Sequence, residues 1–266
     1  MFYYYGRKKQ IVRYYPSPNY NTIIEPFAGA AAYSFHHNAS ERRVILVEKD
    51  QKVANIWKWL IHDATLRDVQ SLPDLQPGER STEFLHIIHA ATKMAFAFKR
   101  IKVTPVLARN WEISKRVFAK HLHEVKHWEI ICGDYTASPD IEATWFIDPP
   151  YQGESGMGYR HSSAQLDYSQ LAKWALSRKG DIICCEGEGA NYLPFVPLLE
   201  LKGIAGKTSK EMLFYRSGTR RRQLQLFEMQ AQQGAALDGD SAGAPSPPVI
   251  FVVSHETYKK NHLTNS

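Results

Sequence analysis

Short apolar runs alternating with helix-like segments constrain this chain most. Residues 22–27 (TIIEPF), 43–47 (RVILV), 144–147 (TWFI), 181–185 (DIICC) and 211–215 (EMLFY) are each four to six residues long and bounded by turn formers. Runs of this kind predict strands buried on both faces of a parallel sheet. Helices are predicted between them over 30–38, over 52–62 (apolar at Val53, Ile56, Trp57 and Leu60) and over 169–177. Strand alternating with helix implies an α/β sheet with right-handed crossovers. A sixth short run, 128–131, adds a further strand before Cys132-Gly133-Asp134-Tyr135.

The alternation stops between Ala64 and Trp128. A Pro/Gly turn region at 72–78 leads into predicted helices over 82–98 and 111–127. From Lys93 to His127 nine basic residues (Lys93, Lys99, Arg100, Lys102, Arg109, Lys115, Arg116, Lys120, Lys126) face only Glu112 and Glu124. Such asymmetry marks either a phosphate-contacting surface or a solvated helix face. The interspersed Phe96, Phe98, Trp111 and Phe118 read more readily as core than as base-stacking groups. Beyond Tyr215 a basic stretch, 216–222, precedes a Gln/Ala/Gly/Ser/Pro-rich segment, 230–248, with the composition of a flexible linker. The last apolar run, 249–253, is either an added strand or a partner-binding segment. These changes divide the chain into an α/β part (1–63 and 129–216), an inserted basic region (64–128) and a tail (217–266).

With 266 residues, 44% of them hydrophobic, the chain can bury a full core. A formal net charge of +6 favours a polyanionic partner without identifying one. Three cysteines, two of them adjacent, suit neither a disulfide framework nor a zinc site and read as buried free thiols, so no metal is expected. The aromatic, basic opening MFYYYGRKKQ lacks the apolar core of a signal peptide, and no run reaches the ~20 apolar residues that cross a bilayer. A cytoplasmic protein is the expectation.

Chemistry concentrates where the strands end. Asp148-Pro149-Pro150-Tyr151 follows TWFI directly. The prolines remove two backbone donors and stiffen the loop. The Asp148 carboxylate and the Pro149 carbonyl can accept both hydrogens of one amino group, and the Tyr151 ring offers a face to a base. An ordinary Asp-Pro turn is the plainer alternative. Glu25-Pro26-Phe27-Ala28-Gly29-Ala30-Ala31-Ala32 gives a strand, a small-residue turn and a helix, the means by which backbone approaches a nucleotide-like cofactor. Gly29 supplies φ/ψ freedom there. Glu48, 19 residues after Gly29, ends the next strand where ribose hydroxyls would meet an acid. Asp134 can contact an adenine amino group, and Lys8, in Tyr3-Tyr4-Tyr5-Gly6-Arg7-Lys8, can pair with a carboxylate.

The order YYYGRKK, EPFAGAAA, VEKD, CGDY, DPPY resembles the Dam-like class of DNA adenine methyltransferases over about residues 3–216, with 64–128 matching by position alone. The resemblance implies a Rossmann-like doubly wound methyltransferase sheet with a mostly helical basic insertion for target recognition. It implies S-adenosylmethionine as cofactor and double-stranded DNA as partner, the target adenine being flipped from the duplex. Asp148, Pro149, Pro150 and Tyr151 become the catalytic group. Tyr4 and Lys8 lie beside the methionine part, Glu25, Pro26, Phe27 and Gly29 line the turn, Glu48 holds the ribose, and Asp134 and Asp148 complete the cofactor site. Lys93, Lys99, Arg100, Lys102, Arg109, Lys115 and Arg116 become DNA contacts. Two positions depart from the family: Ala31 replaces a second glycine and Arg7 replaces the second glycine of Gly-Gly-Lys. An alanine is accommodated at 31 where φ is negative, so cofactor binding is expected to survive. Another amino or amide acceptor (DNA cytosine, RNA adenine, protein glutamine) and a catalytically idle DNA-binding module remain open alternatives.

Overall fold

The computed structural model describes residues 2, 8, 10–37, 41–81, 101–203, 208–218 and 250–252. Its strands are β1 (Thr22–Glu25), β2 (Arg43–Glu48), β3 (Arg80–Ser81), β4 (Ile101–Lys102), β5 (Glu129–Cys132), β6 (Ala143–Ile147), β7 (Gly180–Gly187), β8 (Val196–Gly203), β9 (Thr208–Arg216) and β10 (Ile250–Val252). The helices are α1 (Ala32–His36), α2 (Gln51–Lys58), α3 (Leu66–Gln70), α4 (Pro105–Val125) and α5 (Tyr168–Ser177), and α2 continues through a π turn, Trp59–Asp63. Eight strands form one mixed sheet in the order β10-β8-β9-β7-β6-β1-β2-β5, while β3 and β4 make a separate antiparallel pair. Every pairing in the large sheet is parallel except those of β9, which runs against both β7 and β8.

Successive strand residues serve opposite faces, so unbroken apolar runs require cover on both sides. Ile23, Leu46, Phe146 and Ile183 enter one cluster with Trp57 of α2 and with Trp111 and Phe118 of α4. Their neighbours Ile24, Ile45, Trp145 and Ile182 enter a second with Leu171 and Ala175 of α5. The handedness of the crossovers explains the division. From β1 to β5 the chain moves across the sheet in one direction, then returns past β1 to β6 and β7, which puts α5 on the opposite face. Trp57, Trp111 and Trp145 are fully buried, and truncating such a ring to alanine costs ~3–5 kcal/mol.

The predicted strands are present with shifted ends. β1 stops at Glu25 because Pro26 cannot donate to a ladder. The run at 249–253 contributes an added strand, β10, beside β8, which local pattern did not announce. Helix α4 begins six residues before the predicted 111, at Pro105, where Thr104 Oγ1 accepts from the Leu107 amide at 3.2 Å. A threonine cap followed by proline is a start signal in its own right. α4 packs within the first cluster, and Trp111 and Phe118 are core. Trp111 Nε1 donates to the Pro73 carbonyl at 2.7 Å, binding the 72–78 turn to the helix. The predicted helix over 82–98 and the linker over 230–248 lie outside the described residues. Among the described residues no helix is long and apolar enough to cross a membrane.

The carboxyl-terminal end of α4 is tied to the amino-terminal side of the sheet. Lys126 Nζ donates to the Ala64 carbonyl at 2.6 Å, and His127 Nε2 meets the carbonyl of Arg42, just before β2, at 3.1 Å. Its 21 residues span ~31 Å against ~20 Å for the six residues of β2.

Candidate active site

Strand order reverses between β1 and β6, and open α/β sheets bind ligands beyond the carboxyl ends of the strands at such a point. A crevice lies there, enclosing about 950 Å³ of atom-free space, part of it open to solvent. Its walls are the turn after β1 (Glu25 to Ala32), Glu48, Lys49 and Asp50 at the end of β2, Asp134 and Tyr135 after β5, and Asp148 and Pro150 after β6. Lys8 enters from the amino-terminal segment, and Tyr159, Arg160, His161 and Ser162 from the loop beyond Tyr151. Phe2 is buried between Trp57 and Phe118 at ring distances of 5.6 and 6.4 Å.

On the β1–β2 side, carboxylates are held by backbone amides. Glu25 Oε1 accepts from the Ser34 amide in the first turn of α1 at 2.8 Å. Glu48 Oε2 accepts from Gly29 N at 2.9 Å and its Oε1 from Asp50 N at 2.8 Å, while Trp57 Nε1 donates to the Gly29 carbonyl at 2.8 Å. Burial pushes both glutamates up to about 7, against the opposing pull of these amides. Asp50 caps α2 through the Lys52 amide at 2.9 Å and meets Arg160 Nη1 at 3.3 Å, but its buried Oδ2 has no partner among the described residues. Phe27 stacks on Tyr135 at 5.5 Å and 26°, making a flat aromatic wall. Asp134 sits half-buried at the rim, paired with Lys49 at 2.9 Å.

The turn differs from expectation at one residue. Gly29 adopts φ 46°, but Ala31 also lies in the left-handed region, at φ 50° and ψ 48°. The negative φ expected to accommodate a side chain at 31 is therefore not found. An L-residue held there carries ~1–2 kcal/mol of strain.

On the β6–β7 side, side chains hold the charges. Lys8 Nζ lies 3.0 Å from Glu211 Oε1 and 3.3 Å from Asp148 Oδ1, and it also donates to the Tyr151 hydroxyl. Burial opposes the ammonium, but the two carboxylates outweigh it and Lys8 is raised above its ordinary value. Burial moves Asp148 up to about 6, with Lys8 pulling down and Glu211 adding to the rise. Tyr15 and Tyr151 both donate to Glu211 Oε1, Tyr15 at 2.6 Å. Pro149 is buried, and neither it nor Tyr151 lines the crevice wall. The Pro150 carbonyl accepts from Tyr168 at 2.6 Å, so it does not stand free in the crevice. Tyr151 packs against Gly187, whose missing side chain leaves room for the ring. Glu186, fully buried and pushed up to about 7 by that burial, accepts from Gln152 N at 2.9 Å and fixes the chain leaving Tyr151. Gly156 lets the following loop return against the Tyr151 carbonyl, where a Cβ would collide.

The expected DNA contacts separate. Lys93, Lys99 and Arg100 lie outside the described residues, as does Tyr4, expected beside the cofactor. Lys102, Arg109 and Arg116 are exposed. Lys115 is only 14% exposed and is bound by Asp74 and Glu112, which leaves it poorly placed for phosphate. Glu211, Glu186, Asp50, Tyr135 and Arg160 were not anticipated as site residues. Asp50 and Tyr135 stood within the quoted VEKD and CGDY motifs, whereas nothing local distinguishes Glu211. Cys184 and Cys185 are buried free thiols on opposite faces, both pushed up by burial, and Cys132 is half-buried. In comparisons with known proteins, no family model matches the chain and no curated protein matches it.

Proposed function

We propose that the chain is an S-adenosylmethionine-dependent methyltransferase of the Dam-like class, acting on the exocyclic amino group of adenine in DNA. The finer reading of the sheet, a Rossmann-like doubly wound methyltransferase sheet, and a cytoplasmic location belong to the same proposal. One observation carries it. Segments recognised separately in the sequence, at Lys8, 25–32, Glu48, Asp134 and Asp148, meet around one crevice at the reversal of strand order.

The donor set suits the proposed cofactor. Each carboxylate offers about four acceptor sites, so Glu48 retains capacity for ribose hydroxyls beside its two amide bonds. Asp50 Oδ2 is a second waiting acceptor, and the Phe27–Tyr135 pair offers a face to a purine. When bound, S-adenosylmethionine supplies an electrophilic methyl on a sulfonium. Asp148, 22% exposed at the crevice wall, accepts a hydrogen bond from the target amino group and orients its lone pair. Asp148 would also be the group beside the amine able to take the proton that it sheds on methylation. Tyr151, its hydroxyl fixed by Lys8 and Glu211, is the ring that would stack on a flipped base, outside the crevice that Asp148 and Pro150 line. Lys102 of β4 and Arg109 and Arg116 of α4 are exposed cations that would meet phosphates.

Incubation with S-adenosylmethionine and plasmid DNA, followed by nucleoside mass spectrometry, tests the proposal. Methylated adenine in the DNA is expected. Methylated cytosine alone would transfer the chemistry to another amino acceptor. Absence of both DNA methylation and cofactor binding by calorimetry would favour an idle module, a reading the strained Ala31 and the fully engaged Lys8 support.

A further inference from the structure

Glu211 of β9 does not line the crevice but bonds Lys8, which does, and no motif contains it. It is 3% exposed, and its Oε1 gathers Lys8, Tyr15 and Tyr151. We infer, on the methyltransferase reading, that Glu211 is a positioning residue that holds Lys8 and Tyr151 so that Asp148 keeps an oxygen free for the acceptor amine.

The geometry supports this directly. An ammonium has three donors. Glu211 and Tyr151 take two of the directions around Lys8 Nζ, leaving Asp148 the longer contact, 3.3 Å against 3.0 Å, through Oδ1 alone. Asp148 Oδ2 has no hydrogen-bond partner among the described residues. Without charge at 211, Asp148 becomes the sole carboxylate partner of Lys8, and their ion pair closes. The amine then competes with an ammonium for the same oxygens. Tyr151 simultaneously loses the anionic acceptor that fixes its hydroxyl.

The charged and titratable groups facing Asp148 come from several elements: Lys8 and Tyr15 from the segment before β1, Glu25 from β1, Tyr151 from the loop after β6, Cys184, Cys185 and Glu186 from β7, and Glu211 from β9. Lys8 is the only cation among these, and Glu211 favours the protonated form of Asp148. Neutralising Glu211 therefore lowers the Asp148 midpoint, a change that a purely structural role for Glu211 would not produce.

The test uses the full chain with Glu211→Gln, which is isosteric and keeps an oxygen for Tyr15 and Tyr151, and Tyr151→Phe, which severs one link and keeps the charge. Methyl transfer is followed against pH, and the Asp148 carboxyl is titrated by carbon-13 NMR. In Glu211→Gln, kcat falls about ten- to a hundredfold at pH 7.5 with KM for the cofactor nearly unchanged. The acid limb and the carboxyl midpoint both move down from about 6, by about one pH unit. Tyr151→Phe lowers kcat and leaves the midpoint in place. A midpoint that stays or rises in Glu211→Gln, or full kcat in Tyr151→Phe, overturns the inference. A wild-type chain that transfers no methyl group overturns the methyltransferase reading instead, and the NMR midpoint still decides whether Glu211 governs Asp148.

Discussion

The two halves of the crevice solve the same problem by different means. At β1 and β2, Glu25, Glu48 and Asp50 are buried acids whose partners are mostly backbone amides: Ser34, Gly29, Asp50 and Lys52. At β6, β7 and β9, Asp148 and Glu211 are met by the side chains of Lys8, Tyr15 and Tyr151. Amide partners move only if the turn itself moves, so the first half is a shaped, stiff receptacle. Side-chain partners can be exchanged one at a time, so the second half is adjustable in charge and orientation. On the proposed methyltransferase reading, amides suit the part that would hold the cofactor, and side chains suit the part that would activate a nucleophile.

Asp148→Ala is the strongest test of that contrast. If the proposed methyltransferase reading holds, methyl transfer should fall by about a thousandfold or more, because the acceptor proposed for the target amine is gone. Lys8 keeps Glu211 and Tyr151 as partners, so the melting temperature should shift by only a few degrees. Near-normal turnover would show that the adjustable half does no chemistry.

Glu48→Gln probes the stiff half through pH. Burial raises Glu48 from 4.5 to about 7, so the folded state binds this proton more tightly than the unfolded state. The stabilisation associated with the protonated acid is complete below about 4.5 and is lost as pH rises through about 7. In denaturant unfolding, wild type should lose about 1–3 kcal/mol relative to Glu48→Gln between pH 5 and pH 8. A constant difference would mean that the amides of Gly29 and Asp50 hold the ionised form as well as water does.

The smallest effect is expected at Ala31→Gly. Relief of left-handed strain, ~1–2 kcal/mol, is opposed by loss of a buried methyl, ~0.8 kcal/mol, and by the greater freedom of glycine in the unfolded chain, ~0.4–1 kcal/mol. Stability should change by less than ~1 kcal/mol in thermal unfolding. A destabilisation beyond ~2 kcal/mol would show that the turn depends on the alanine methyl rather than tolerating it.

Strand positions and the acids at strand ends were legible because they are local. β2, β6 and β7 are apolar runs, and Glu48, Asp134 and Asp148 follow from where those runs stop. The start of α4 was equally local in Thr104-Pro105 but was overshadowed by the charge run that follows. β8 escaped because Pro197 and its alternating polar residues lack a continuous apolar signal.

Local pattern thus determined an α/β sheet and most of the residues around its crevice, since burial periodicity and turn chemistry act over a few neighbours. The tertiary structure decided how those residues are charged and held. Lys8 and Glu211 stand 203 residues apart, Lys115 is claimed by Asp74 across 41, and Ala31 takes its left-handed φ in a turn whose Gly29 is held by Glu48 and Trp57. A contact between distant segments leaves no trace in the spacing of either one, because each obeys its own neighbours until the chain has closed around them.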